Sequence, residues 1–252
     1  LPAGVQLFSL FHSNPPLLEL LAEIMGSAPR LAQTLRHHTI LFDAVLTADF
    51  FEPPPDAAML AREMEAALTP ARDFEDVLTI LGRHANDRMF QTGVHMLRGR
   101  LDPGEAGAPL ANVADTVLRT LLPAVTDELA RRHGRLPDGS MAVVALGKLG
   151  GRELTVGSDL DLLFVYDNPA GAAATDGANP LSPPQYFARL GQRYLGVLSA
   201  PTAEGRLYEV DLRLRPSGSS GSIASSLQAF ERYQTDEAWT WEHMALTRAR
   251  VV

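Results

Sequence analysis

The chain has 252 residues with a net charge of −8, from 22 Lys plus Arg against 30 Asp plus Glu, and it is 46% apolar. That composition excludes a disordered chain, and the acidic balance argues against non-specific nucleic-acid binding while leaving room for a local basic pocket. The absence of cysteine excludes disulfides, thiolate–zinc sites and cysteine nucleophiles, and no apolar run reaches the roughly 20 residues that span a bilayer.

The first 135 residues read as successive helices. Asn14-Pro15-Pro16 opens one whose apolar stripe is Leu17, Leu20, Leu21 and Ile24, closed at Gly26. Ser27 and Pro29 open the next, to His38, followed by a segment from Thr39 to Thr47 and the stiff Pro53-Pro54-Pro55 break. Asp56 and Asp73 are placed to cap helices over Ala57–Leu68 and from Asp73 to Leu97. A Gly/Pro loop spans Gly99–Pro109. Helical spacing then runs from Leu110 to Gly134, with a kink expected at Pro123 because proline removes a donor and crowds the preceding turn.

After Pro137 the pattern changes. Met141–Leu146 and Asp159–Tyr166 read as strands, and Asp167–Pro184 as a mobile Gly/Ala/Pro-rich surface loop. Gln185–Leu198 is an amphipathic helix, and Arg206–Arg215 alternates as a third strand. Pro216–Ser222 is a flexible turn, and two helices complete the chain, the second from about Ala238 to the end. The chain starts at Leu1 without a secretory signature and stops after a helical pattern, so a fragment of a longer protein is expected.

The chemistry concentrates in Leu146–Tyr166. On a strand, Asp159 and Asp161 project from one face. Two adjacent carboxylates repel, and a hard divalent cation such as Mg²⁺ offsets that repulsion. If the third strand holds, Asp211, Arg213 and Arg215 share a face there. Three carboxylates on neighbouring strands can hold two ions about 3.5–4 Å apart for in-line displacement at phosphorus, with arginines neutralising phosphate. The Gly147–Gly151 turn lets backbone N–H groups approach a triphosphate. The run is not a Walker A loop, because Ala142 and Leu149 stand at required positions, and Leu149 also breaks the dinucleotide fingerprint.

A glycine turn, then Gly157-Ser158-Asp159-Leu160-Asp161, then Asp211 on a later strand, resembles the DNA polymerase β-type nucleotidyltransferase superfamily. The runs GKLGGREL with SDLDLLF, Tyr208–Gly218 (YEVDLRLRPSG) and Asp236–Arg250 are similar to one branch, the glutamine synthetase adenylyltransferases. The resemblance covers roughly the last 110 residues. It implies an α+β fold: an N-terminal helical bundle over 1–135, then over 136–252 a small polymerase β-like domain, a mixed sheet with flanking helices. DEAWTWEHMALTRARVV with RLRPSG resembles the C-terminal, adenylylating unit of a two-unit enzyme rather than its phosphorolytic, deadenylylating one. The implied reaction moves AMP from the substrate ATP to a tyrosine of glutamine synthetase and releases pyrophosphate.

By the same resemblance, Asp159, Asp161 and Asp211 would ligate two Mg²⁺ ions and be catalytic. Gly147, Lys148, Gly150, Gly151 and Ser158 would hold the β,γ-phosphates, and Arg213 and Arg215 would stabilise charge on the transferring group or the substrate. A P-II-type signalling protein and glutamine would regulate the full-length enzyme, in the cytoplasm, with no nucleic acid and no membrane involved. A nucleotidyltransferase acting on RNA or a small molecule, and a non-catalytic binding module, are the readings from other classes. Glu153 fits either a site role or a helix start. Trp239, Trp241 and Tyr233 are expected in helix packing, Glu242 and His243 in structural roles, and His37-His38 at a helix end.

Overall fold

The computed structural model describes residues 11–12, 15–37, 45, 48–202 and 204–252. The expected segment Thr39–Thr47 lies outside the described residues apart from Val45, as does His38. Helices α1 (Pro15–Ser27) and α2 (Pro29–His37) bury Leu17, Leu20, Ile24, Leu31 and Leu35 against Phe50, Phe90 and Val94 in a small core of their own. The caps read from the sequence are in place. Asp56 accepts from Met59 N at 2.7 Å to start α3 (Ala57–Leu68), and Asp73 from Asp76 N at 2.9 Å to start α4 (Phe74–Leu97). Helix α5 (Gly107–His133) begins inside the expected loop, because Pro109 falls in its first turn, where a missing N–H costs nothing. It continues through Pro123 as one element.

The second half is a mixed five-stranded sheet, so the fold is α+β. Strand β1 (Ser140–Ala145) pairs antiparallel with β2 (Leu160–Asp167), and the short helix α6 (Gly147–Gly150) lies between them. Along its other edge β2 pairs in parallel with β3 (Val210–Asp211) and then with β4 (Ala224–Ser226). Helix α7 (Pro183–Ser199) covers the sheet through Tyr166 stacked on Phe187 at 4.3 Å and Phe164 edge-on to Tyr194 at 5.7 Å. The Tyr194 hydroxyl donates to Leu118 O of α5 at 2.8 Å. One apolar core therefore runs continuously from α3, α4 and α5 into the sheet and α7. Helices α8 (Leu227–Asp236) and α9 (Thr240–Leu246) follow β4.

Three expectations are corrected. The third strand stops at Asp211, because the Asp211 carboxylate accepts Arg213 N at 2.8 Å and curls the chain into a turn that Arg215 N continues onto Leu212 O. The chain ends in strand β5 (Arg250–Val251) rather than in helix: β-branched Val251 and Val252 complete the open edge of β1, with Val252 N donating to Val143 O. The 167–184 insert is tied down. Asp176 N and Gly177 N donate to Arg135 O and His133 O, Arg135 N donates to Asp176 Oδ1, and Thr175 and Leu181 are buried. No described helix is long and apolar enough to cross a membrane.

Candidate active site

Pairing between β2 and β3 sets Asp161 directly opposite Asp211. Asp159 stands one residue before β2, exposed at its mouth, so the expected Asp-x-Asp strand face holds for Asp161 alone. Over Asp161 lies the glycine turn. Gly147 has φ +51°, and a Cβ there would fall 2.0 Å from Asp161 Oδ2, so the missing side chain makes room for the carboxylate. Leu146 N donates to Asp161 O at 2.9 Å and locks turn and strand together.

The electrostatics separate the acids. Burial, with Asp159 and Asp211 close by, pushes the Asp161 carboxyl above the usual range, only partly offset by Arg213 and Lys148. Asp211 moves the opposite way, held low first by its hydrogen bond to Arg213. Arg213 Nε donates to Asp211 Oδ2 at 2.7 Å, and its side chain is otherwise 83% exposed. Among the described residues no three His, Cys, Asp or Glu side chains converge closely enough to hold a metal as they stand. The donor chemistry nonetheless suits Mg²⁺: three carboxylates, two of them raising the pKa of the third.

The other predicted residues divide. Lys148 is exposed beside Asp161 and is the only lysine in the chain. Gly150 N and Gly151 N are used inside the turn, donating to Leu146 O and Gly147 O. Ser158 Oγ lies 2.7 Å from Thr155 Oγ1 and closes the loop before Asp159. Arg215 leaves the site side of the turn to donate to Leu212 O and Gly221 O. Glu153 pairs with Arg248 at 2.8 Å. Glu242 is buried and structural, accepting from Tyr233 OH and Trp239 N. Trp239 and Trp241, expected in helix packing, are 71% and 55% exposed.

A cavity of about 740 Å³ opens beside the loop that precedes Asp159, lined by Met89, Phe90, Thr155, Ser158 and Glu209 among others, and not by the aspartates. Asp115, Asn112, Arg152 and Arg250, which assemble behind the glycine turn, were not singled out from the sequence. Their partners lie 37 to 135 positions apart in the chain, and no local pattern links them.

A profile of the glutamate-ammonia ligase adenylyltransferase family matches residues 18–252. The chain belongs to that family. It is similar to the bifunctional glutamine synthetase adenylyltransferase/adenylyl-removing enzymes of Mesorhizobium japonicum (48% identical over 252 residues) and Brucella suis (49% over 252). It is also similar to that of Xanthobacter autotrophicus (46% over 250 residues). All or nearly all of the chain is covered in each case, but only 25–26% of the relative. The chain thus spans about a quarter of the length of these family members, and the match extends through the helical half that the sequence motifs did not reach.

Proposed function

We propose that the chain is an adenylylating unit that transfers AMP from ATP to a tyrosyl hydroxyl of glutamine synthetase and releases pyrophosphate. The observation that carries this reading is the pairing of Asp161 with Asp211 beneath a glycine turn in a chain of this family. In this reading the division at 135/136 separates a helical bundle from a polymerase β-like catalytic domain, even though the two share one core.

Asp159, Asp161 and Asp211 would hold two Mg²⁺ ions. When bound, Mg²⁺ supplies neutralisation of phosphate charge and polarisation of the attacking hydroxyl, whose free pKa is about 10. Arg213 releases Asp211 as the nucleotide arrives, and its guanidinium turns to the phosphates, a pairing that suits its exposed position. The Gly147–Gly151 turn and Lys148 orient the β,γ-phosphates so that the leaving pyrophosphate lies in line with the attacking oxygen. Ser158 fixes the loop before Asp159, and Arg215 fixes the turn after Asp211. The tyrosyl oxygen bonds to the α-phosphorus, the bond from that phosphorus to the β-phosphate bridge breaks, and the phenolic proton passes to solvent. Glutamine synthetase as protein substrate, a P-II-type protein and glutamine as regulators, and the cytoplasm as location follow from the family resemblance.

The test uses ATP labelled in the α-phosphate, Mg²⁺ and glutamine synthetase. Label moves to glutamine synthetase with the wild-type chain, and Asp161→Asn lowers the rate by on the order of 10²-fold or more. Label that stays in ATP contradicts the reading. Release of ADP from AMP-modified glutamine synthetase and phosphate would assign the adenylyl-removing activity instead.

A further inference from the structure

The glycine turn has a support that the catalytic reading does not use. Behind it, Asp115 of α5 is buried, at 7% side-chain exposure, and receives Arg250 in a two-point pair, from Nη1 at 2.8 Å and Nη2 at 2.9 Å. The same Nη2 also donates to Leu149 O, inside the turn, at 3.1 Å. Arg250 is held from a second direction, because β5 pairs it with Ala145, the last residue of β1 before the turn.

The exit of the turn is gripped by the same helix. Arg152 has φ +59°, a left-handed backbone that a non-glycine residue seldom adopts unless its surroundings impose it. Its Nη2 donates to Asn112 Oδ1 at 2.6 Å, and its Nη1 stands 3.6 Å from Asp115. Close packing completes the grip. A Cβ on Gly107 of α5 would lie 2.7 Å from Arg152 O, and a Cβ on Gly150 would lie 2.1 Å from Arg248 O. One buried carboxylate therefore serves two guanidiniums that flank the turn, an imbalance that leaves positive charge behind it.

We infer that Arg250, clamped by Asp115, is a positioning residue for the triphosphate. It fixes the Leu149 carbonyl and with it the Gly147–Gly151 turn, so that the helical half sets nucleotide affinity through one guanidinium. The inference rests on the reading that this turn carries ATP. A bidentate charged pair is also the geometry that lysine cannot reproduce, since an ammonium offers a point charge without the planar fork.

The experiment measures steady-state AMP transfer in the full-length protein for wild type, Arg250→Ala, Arg250→Lys, Asp115→Asn and Asp161→Asn, varying ATP and glutamine synthetase separately. The R250A and D115N variants raise KM for ATP about tenfold, the scale of a lost charged hydrogen bond, and R250K raises it less. KM for glutamine synthetase stays unchanged, and inhibition by pyrophosphate weakens in step while inhibition by adenosine does not. A purely structural role would lower the active fraction, and hence kcat, without moving KM for one substrate alone. ATP KM within twofold of wild type in R250A, R250K and D115N, with D161N inactive, overturns the inference. Where R250A is insoluble, R250K and D115N decide on the same criterion. Transfer that survives D161N overturns the reading beneath, and this inference with it.

Discussion

A methyl group on Gly147 would occupy the volume of the Asp161 carboxylate, 2.0 Å from Oδ2, at a backbone φ of +51°. Gly147→Ala therefore displaces a proposed metal ligand as well as straining the backbone. Displacement by about an ångström costs on the order of 10²-fold in rate, and the left-handed backbone costs about 1 kcal/mol of stability. Kinetics alongside a thermal melt check both, and an alanine variant with full activity would show that Asp161 need not lie against the turn. At this scale the sequence was informative for acids and glycines and less so for arginines. The spacing of Asp159 and Asp161 and the later Asp211 pointed to one site, and the β2–β3 pairing brings Asp161 and Asp211 together. Alternation along Arg206–Arg215 places Arg213 and Arg215 on a shared face. A carboxylate that bonds the backbone two residues on ends the strand, and alternation does not register that competition.

Elements with local signals were legible. Caps at Asp56 and Asp73 and the period of α1 depend on neighbours within four residues, and each element is where those residues place it. Strand β5 and the anchored 167–184 insert depend on distant partners, Val143 and Ala145 for one and His133 and Arg135 for the other, so composition misreads them.

Helix α4 also carries a testable cost. Burial pushes the Asp87 carboxyl up to about 6, with nearby Glu204 adding and Arg88 and Arg83 opposing. The folded chain therefore holds that proton more tightly than the unfolded one, and stability falls as pH rises from about 4 through 6. Asp87→Asn removes the penalty. Because Asp87 is exposed to solvent, the gain at pH 7.5 is at most about 1 kcal/mol, or about 2–4 °C in melting temperature, and it shrinks toward pH 4. A gain that is equal at both pH values would place its origin elsewhere.

Over the whole molecule, the charge of −8 describes the surface better than the site. Lys148 and Arg213 act on Asp161, while Arg152, Arg248 and Arg250 surround the turn from behind. An acidic chain thus presents cationic groups around the paired Asp161 and Asp211. The continuous core and the Asp115–Arg250 pair join the helical half to these groups, a connection that no stretch of sequence displays.

In the proposed site Asp159, Asp161 and Asp211 bind nucleotide through Mg²⁺. Titration with a non-hydrolysable ATP analogue, with and without Mg²⁺, tests this most directly. Mg²⁺ is expected to tighten binding to the wild-type chain and to have no such effect in Asp161→Asn or Asp211→Asn. Binding that ignores Mg²⁺ in the wild type, or Mg²⁺ dependence that survives both substitutions, would contradict it.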